Sequence, residues 1–362
     1  MTTIQAATAS YEAWLGKQLT VLPADLELKH QHMAESPFMF LRATFYRWMQ
    51  LWPKHAAAAA KAPVVLAVGD LHVANFGTWR DREARLVWGI NDFDEAYPLP
   101  YTLDLVRLAT SAHLAVQEAH LSIAHKDACD AILLGYREGL AAGGAPLVLA
   151  EKHPWLRLMM TGVLRDPAHF WAKMDALGEL EGGVPGSAQK AIQRLLPDKN
   201  LTCHWTHRVA GLGSLGRQRF VALAAFEGAQ IAREAKAMAP SACVWSGKRQ
   251  VKKATAAIHY QEILDTCVRA KDPFVELRGR WIVRRLAPDC SRVELGSLPR
   301  QRDESKLLHA MGFETANVHL SRRKNAKAIL EDLKKRPKQW LHKTATAMLN
   351  ATMADFEAWR KG

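Results

Sequence analysis

The chain has 362 residues, enough for two domains or for one large domain with an inserted lobe. Its 49% hydrophobic content excludes a disordered chain, and no apolar run reaches the ~20 residues a membrane-spanning helix needs. Forty-nine basic against 36 acidic residues leave a net charge of +13, which favours anionic partners: nucleotides, acidic metabolites, nucleic acid or anionic lipid.

Residues 1–60 read as helices. The start is polar and lacks the apolar core and cleavage site of a signal peptide. Cys129, Cys203, Cys243, Cys267 and Cys290 are odd in number, widely spaced and without a CxxC pair. A cytoplasmic protein with reduced thiols is therefore expected, and no zinc spacing is visible. Ser36-Pro37 supplies an N-cap and a first-position proline to FMFLRATFYRWMQLW (38–52), a segment apolar around most of its circumference. Within it, Arg42 could reach an anion, although packing is its expected role.

VVLAV (64–68) is the first strand, and RLVWGIN (85–91) returns after a turn around TWRDRE (78–83). Each strand leads into acidic residues: Asp70 after the first, then Asp92, Asp94 and Glu95 after the second. Like charges ~4 Å apart at an effective dielectric of ~20 repel by ~4 kcal/mol, so something positive must sit among them. YTLDLVRLATSAHLAV (101–116) has helical period, and further helices reach about residue 195. From 204 to 300 the texture becomes β-like, with HWTHRVAG, RFVALAAF and RWIVRRLA around a glycine loop and one helix (254–270). Helix then resumes to the end. The run 321–343 carries nine Lys or Arg against two acids, which suits a solvated helix face and leaves a polyanion contact open.

An aspartate at a strand end with an asparagine five residues on (Asp70, Asn75) is the catalytic-loop pattern of kinases, where the Asp accepts the substrate hydroxyl's proton and the Asn helps hold a metal. Asp92 follows the next strand as a metal-holding aspartate does. Carboxylate plus amide oxygen suits Mg²⁺, with nucleotide phosphates completing the shell.

GDLHVANFG…INDFDEAYPLPYTLDLVRLA resembles aminoglycoside phosphotransferases and choline kinases. Together, SPFMFLRATFY, GDLHVANFG, NDFDEA and DLVRLATS more closely resemble an uncharacterised bacterial family, domain of unknown function 2252, from about residue 30 to the end. The resemblance implies an α+β, protein-kinase-like bilobal fold using ATP and Mg²⁺. It implies Asp70 as general base, His72 orienting it or approaching phosphate, and Asn75, Asp92 and Asp94 at the metal. Asp104 would brace the catalytic loop through backbone hydrogen bonds.

Gly211-x-Gly213-Ser214-x-Gly216 could cover phosphates as a kinase loop does, open a Rossmann unit with Glu234 as the ribose acid, or form a plain turn. Under the resemblance, Arg233 stands where the phosphate-binding lysine is expected. Lys236 has opposite strand parity, so the two cannot face the nucleotide together, and Glu262 is the candidate pairing acid. The glycine loop also follows the catalytic loop instead of preceding it, which implies a circular permutation. Residues 1–200 and 301–362 would form the large helical lobe, and 201–300 the β-rich nucleotide lobe. SKLLHAMGFETANVHL (305–320) fits the helix after the small lobe.

The leading expectation is phosphoryl transfer from ATP to a small hydroxylated molecule. A nucleotide-binding pseudokinase or adaptor is one alternative. The other is a metal-dependent phosphoesterase, for which strand-GDLH is suggestive although the chain lacks GN and GH segments. Nucleic acid and membrane partners are not expected, and the sequence is silent on oligomeric state.

Overall fold

A computed structural model describes residues 2–149, 152–161, 166–180, 182–247, 257–290 and 303–362. The fold is α+β. Helices α1 (Ile4–Leu15), α2 (Pro23–Glu35), α3 (Pro37–Ala43) and α4 (Phe45–His55) open the chain. Strands β1 (Val64–Ala67), β2 (Phe76–Arg80), β3 (Leu86–Ile90) and β4 (Tyr97–Pro100) follow, then α5 (Tyr101–Gln117), α6 (His125–Ala141) and β5 (Leu147–Val148). After α7 (Pro154–Thr161), α8 (Pro167–Asp175) and α9 (Gly186–Gln193) come β6 (His204–His207), β7 (Arg219–Phe226) and β8 (Ala229–Ala237). The chain ends through α10 (Ala242–Ser246), α11 (Tyr260–Thr266), β9 (Val275–Arg278), β10 (Trp281–Leu286), α12 (Glu304–His319), α13 (Asn325–Lys335) and α14 (Trp340–Lys361).

The long apolar segment 38–52 is two helices, not one. Ser36 Oγ caps α3, but Thr44 leaves helical geometry (φ −123°, ψ 39°) and starts a new axis. TWRDRE is only partly a turn: Thr78, Trp79 and Arg80 pair with Trp88, Val87 and Leu86 in β2–β3. Both strands are buried along most of their length, so no polar alternation marked β2 in the sequence. Residues 254–256 of the expected helix 254–270 lie outside the described residues, and the helix seen there is α11.

Two small antiparallel sheets, β1–β4 and β2–β3–β5, sit within the helical body. The third sheet has the order β6–β7–β8–β10–β9 and is antiparallel throughout. Its faces obey strand parity. Phe220, Ala222, Ala235 and Val283 pack against Ala188 and Ile192 of α9, while Val221, Leu223, Ala232 and Leu286 pack against Phe170 and Met174 of α8. Two helices from within residues 1–200 therefore cover the sheet. No helix of the described residues is long and apolar enough to cross a membrane.

Candidate active site

β1 ends in a turn that Asp104 organises from the first turn of α5. Asp104 is fully buried, and its two carboxylate oxygens accept from the Val68 and Gly69 N–H groups at 2.7 and 2.9 Å. His319, at the end of α12, bonds Asp104 Oδ2 at 2.9 Å and the Tyr136 hydroxyl at 2.7 Å. Gly69 has φ +84°, and a Cβ there would lie 2.4 Å from the Glu95 carbonyl oxygen. Only glycine lets the two acidic loops touch. Downstream, Asn75 Oδ1 accepts from the His72 N–H (2.7 Å) and His72 Nδ1 from the Ala74 N–H (3.2 Å). The Asn91 N–H donates to the Asn75 carbonyl (3.1 Å), which carries Asp92 to the same place.

Asp70, His72, Asn75, Asp92, Asp94 and Glu95 line one niche with Gly211, Gly213 and Ser214. The acids share it with cations drawn from distant segments. Arg107 Nε (2.8 Å) and Nη2 grip Asp70 Oδ1, and its guanidinium lies over the Trp48 ring. Lys236 Nζ is 2.6 Å from both oxygens of Asp94 and 3.9 Å from Asp92. Arg217 pairs with Glu95 (3.3 Å) and Asp94 (3.7 Å), and Lys29 lines the same wall. Four carboxylates meet four cations. The positive charge the sequence demanded is therefore supplied by the protein itself.

Burial raises the Asp70 carboxyl, against the pull of Arg107, to about 7. Burial lowers the Lys29 ammonium to about 8, and it lowers Lys236 despite Asp92 and Asp94.

The niche volume is about 30 Å³, room for one ion or water. Among the described residues no trio of its carboxylates converges as a carboxylate-only metal site requires, and Asp94 spends both oxygens on Lys236. The Asp92 carboxylate and the amide oxygen of Asn75, which line the same niche, are the hard oxygens a magnesium ion would use. Asn91 Oδ1, from the residue preceding Asp92, is buried without a hydrogen-bond partner among the described residues.

The glycine turn lies directly on Asp70. A Cβ at Gly213 would sit 3.1 Å from the Arg42 carbonyl and 3.4 Å from Asp70 Oδ2, so a side chain would crowd both. Leu212 and Leu215 anchor the turn in a cluster with Phe40 and Ala43 of α3. Gly216 lies outside the niche, against Leu26 of α2.

A second cavity, of about 820 Å³, adjoins the niche and shares Arg42 and Gly211 with it. Arg42, Lys173, Arg208, Arg269, Arg284 and Arg285 line it against Glu118 and Asp272, so it is cationic. Arg285 Nε and Nη2 are buried with no hydrogen-bond partner among the described residues. Beneath it lies Glu234, fully buried, which accepts from Arg208 (2.5 Å), Arg219 (2.7 Å) and Arg284 (2.8 Å). Burial alone would raise this carboxyl; the three guanidiniums outweigh it and hold Glu234 well below the ordinary range. Arg219 also donates to Ser214 Oγ in the glycine turn (2.9 Å).

Two expected site residues lie elsewhere. The register Arg219↔Lys236 and Val221↔Glu234 puts Lys236 and Glu234 on the cavity side and Arg233 on the α9 side. Arg233 donates to the Leu195 carbonyl (2.8 Å) and lies over Phe274. Lys236, not Arg233, is the cation at the acids. Glu262 also misses: it bonds His259 (2.7 Å) and Arg322 (3.4 Å) on the surface and does not meet Lys236. Glu234 is an arginine-binding strand residue, which removes its reading as a ribose acid. Lys29 and Arg217 lie in no motif; Arg107 lies within DLVRLATS and His319 within SKLLHAMGFETANVHL, but neither had a role assigned from the sequence.

Residues 21–156 match the family described as an uncharacterized protein conserved in bacteria (DUF2252). The match spans α5 and both acidic loops, which supply the acids of the niche, while the glycine turn, Arg217 and Lys236 lie outside it. No curated protein and no solved structure matches the chain.

Proposed function

We propose that the protein is an ATP- and Mg²⁺-dependent phosphotransferase of kinase-like, circularly permuted build, acting on a small hydroxylated acceptor. The observation that carries this reading is the single niche in which Asp70, Asn75 and Asp92 meet the glycine turn beside a cationic cavity. In kinases a glycine-rich loop covers the phosphates, a lysine on the third strand holds them, and the catalytic Asp, the Asn and a second Asp lie opposite. Here the glycine turn joins the first and second strands of the five-stranded sheet, and Lys236 lies on the third. The 820 Å³ cavity is of nucleotide size.

In this mechanism the polyphosphate lies along Arg208 and Arg284, and Lys236 exchanges Asp94 for a phosphate oxygen. Asp70 takes the acceptor hydroxyl's proton as that oxygen bonds the γ-phosphorus and ADP leaves. Magnesium bound by Asn75 and Asp92 would neutralise charge on the transferring group. Because the niche is already charge-balanced, the ion should enter only together with phosphates.

Thermal unfolding tests this. ATP with Mg²⁺ at ~100 times the dissociation constant should stabilise the protein by ~2.7 kcal/mol, Mg²⁺ alone should do nothing, and Asp92→Asn should abolish the joint effect. Absence of any joint effect in the wild type would refute the reading. In the same assay Lys236→Met should remove most of the shift while Arg233→Met, whatever it does to basal stability, should keep it. The reverse pattern would return the nucleotide to the α9 face.

A nucleotide-binding protein without transfer is the second reading, favoured by the tight seat of Gly213 on Asp70. Binding without ADP production across a panel of hydroxylated acceptors would select it. A two-metal phosphoesterase is disfavoured, since Lys236 and Arg217 hold the carboxylates that second ion would need.

A further inference from the structure

Further along α5, outside the residues that line this niche, three helices bring soft ligands together. His113 comes from α5, Cys129 from α6 and His342 from the second residue pair of α14. One nitrogen of each imidazole and the Cys129 sulfur lie within 4.8 Å of one another. His113 Nε2 is 3.3 Å from Cys129 Sγ. With Zn–N near 2.0–2.1 Å and Zn–S near 2.3 Å, a tetrahedral ligand–ligand edge is ~3.5 Å, so donor atoms that lie within 4.8 Å of one another need to close by at most about 1.3 Å. That closure is within reach of a side-chain adjustment.

A second observation points the same way. Nδ1 of His113 and Nδ1 of His342 are buried with no hydrogen-bond partner among the described residues. A buried imidazole nitrogen left unpaired is costly, and a metal ion would satisfy it. With its Nε2–H donated to the His125 carbonyl at 3.1 Å, His113 would offer Nδ1 to the metal, the arrangement in which the other ring nitrogen of a metal-binding histidine is held by a backbone carbonyl.

We propose that His113, Cys129 and His342 form a zinc site that pins α14 to α5 and α6. On binding, the Cys129 thiol gives its proton to solvent, the thiolate and two neutral imidazoles donate lone pairs, and water takes the fourth position. The thiolate and imidazole set favours a thiophilic ion over magnesium, so this site and the niche do not compete for one metal.

Cobalt(II) is the probe, because a thiolate bound to it gives an intense charge-transfer absorption. One equivalent per chain should raise that band in the full-length protein, and zinc should displace it. Cys129→Ser should abolish the band although Cys203, Cys243, Cys267 and Cys290 remain. His342→Gln, at a partly exposed position, should weaken cobalt affinity at least ~10-fold and cancel the rise in melting temperature that zinc gives the wild type. Asp92→Asn should leave the band intact, which separates this site from the phosphotransfer reading. No band with wild type, or a band unchanged in Cys129→Ser, would overturn the proposal. If Cys129→Ser does not fold, unaltered cobalt affinity in His342→Gln would overturn it.

Discussion

Asp70→Asn is expected to slow phosphoryl transfer by ~10²–10⁴-fold. An amide cannot take the acceptor's proton, yet its oxygen still accepts from Arg107, which holds Asp70 Oδ1 through Nε at 2.8 Å. The substitution leaves the Arg107 cation unneutralised beside Leu41 and Trp48, so melting temperature must be measured alongside the rate. The pH profile is a second readout. A base works ionised, and with Asp70 at about 7 the wild-type rate should climb as pH rises through that value and level off above it. The sign follows from the group: protonation below its pKa removes the base. A rate flat between about pH 5.5 and 8.5, or Asp70→Asn at wild-type speed, would remove Asp70 from the chemistry.

Glu234→Ala is expected to cost ~3–5 kcal/mol of folding stability, toward the lower end. Glu234 has no access to solvent and neutralises three guanidiniums at once. Arg208 and Arg284 reach partly into the open cavity and can recover water when it is gone. Arg219, at 4% side-chain exposure, cannot, and its buried charge would stand alone. Adding Arg219→Met should therefore return part of the lost stability. A urea titration reads both variants through the midpoint at constant slope. A loss below ~1 kcal/mol for the single variant would show that the arginines do not depend on this carboxylate. The same network ties Arg219 to Ser214 Oγ, so the variant should also loosen the glycine turn over Asp70.

Legibility differed by range. The Asp104 brace, the Asp70–Asn75 turn and the arrival of Asp92 beside it depend on residues within about forty positions of one another, joined by short strands. Such local geometry follows from spacing and turn chemistry, and the motifs carried it. The glycine turn was readable as a loop, and its seat on Asp70 was not, because Leu212 and Leu215 are held by α3, about 170 residues earlier. The zinc spacing was invisible for the same reason: His113, Cys129 and His342 approach only when α14 returns to α5.

By itself the sequence determined the α+β texture, the two acidic loops and the order in which they meet the glycine segment. It also stated a conflict it could not resolve, that Arg233 and Lys236 must face opposite ways. Only the tertiary structure decided between them, through the β7–β8 register and the helices that cover each face. It likewise decided that Arg107, Arg217, Lys29 and Lys236 supply the charge the acids require. Charge neutralisation acts through space over a few ångströms, and the partners lie far apart along the chain. No spacing rule encodes that pairing.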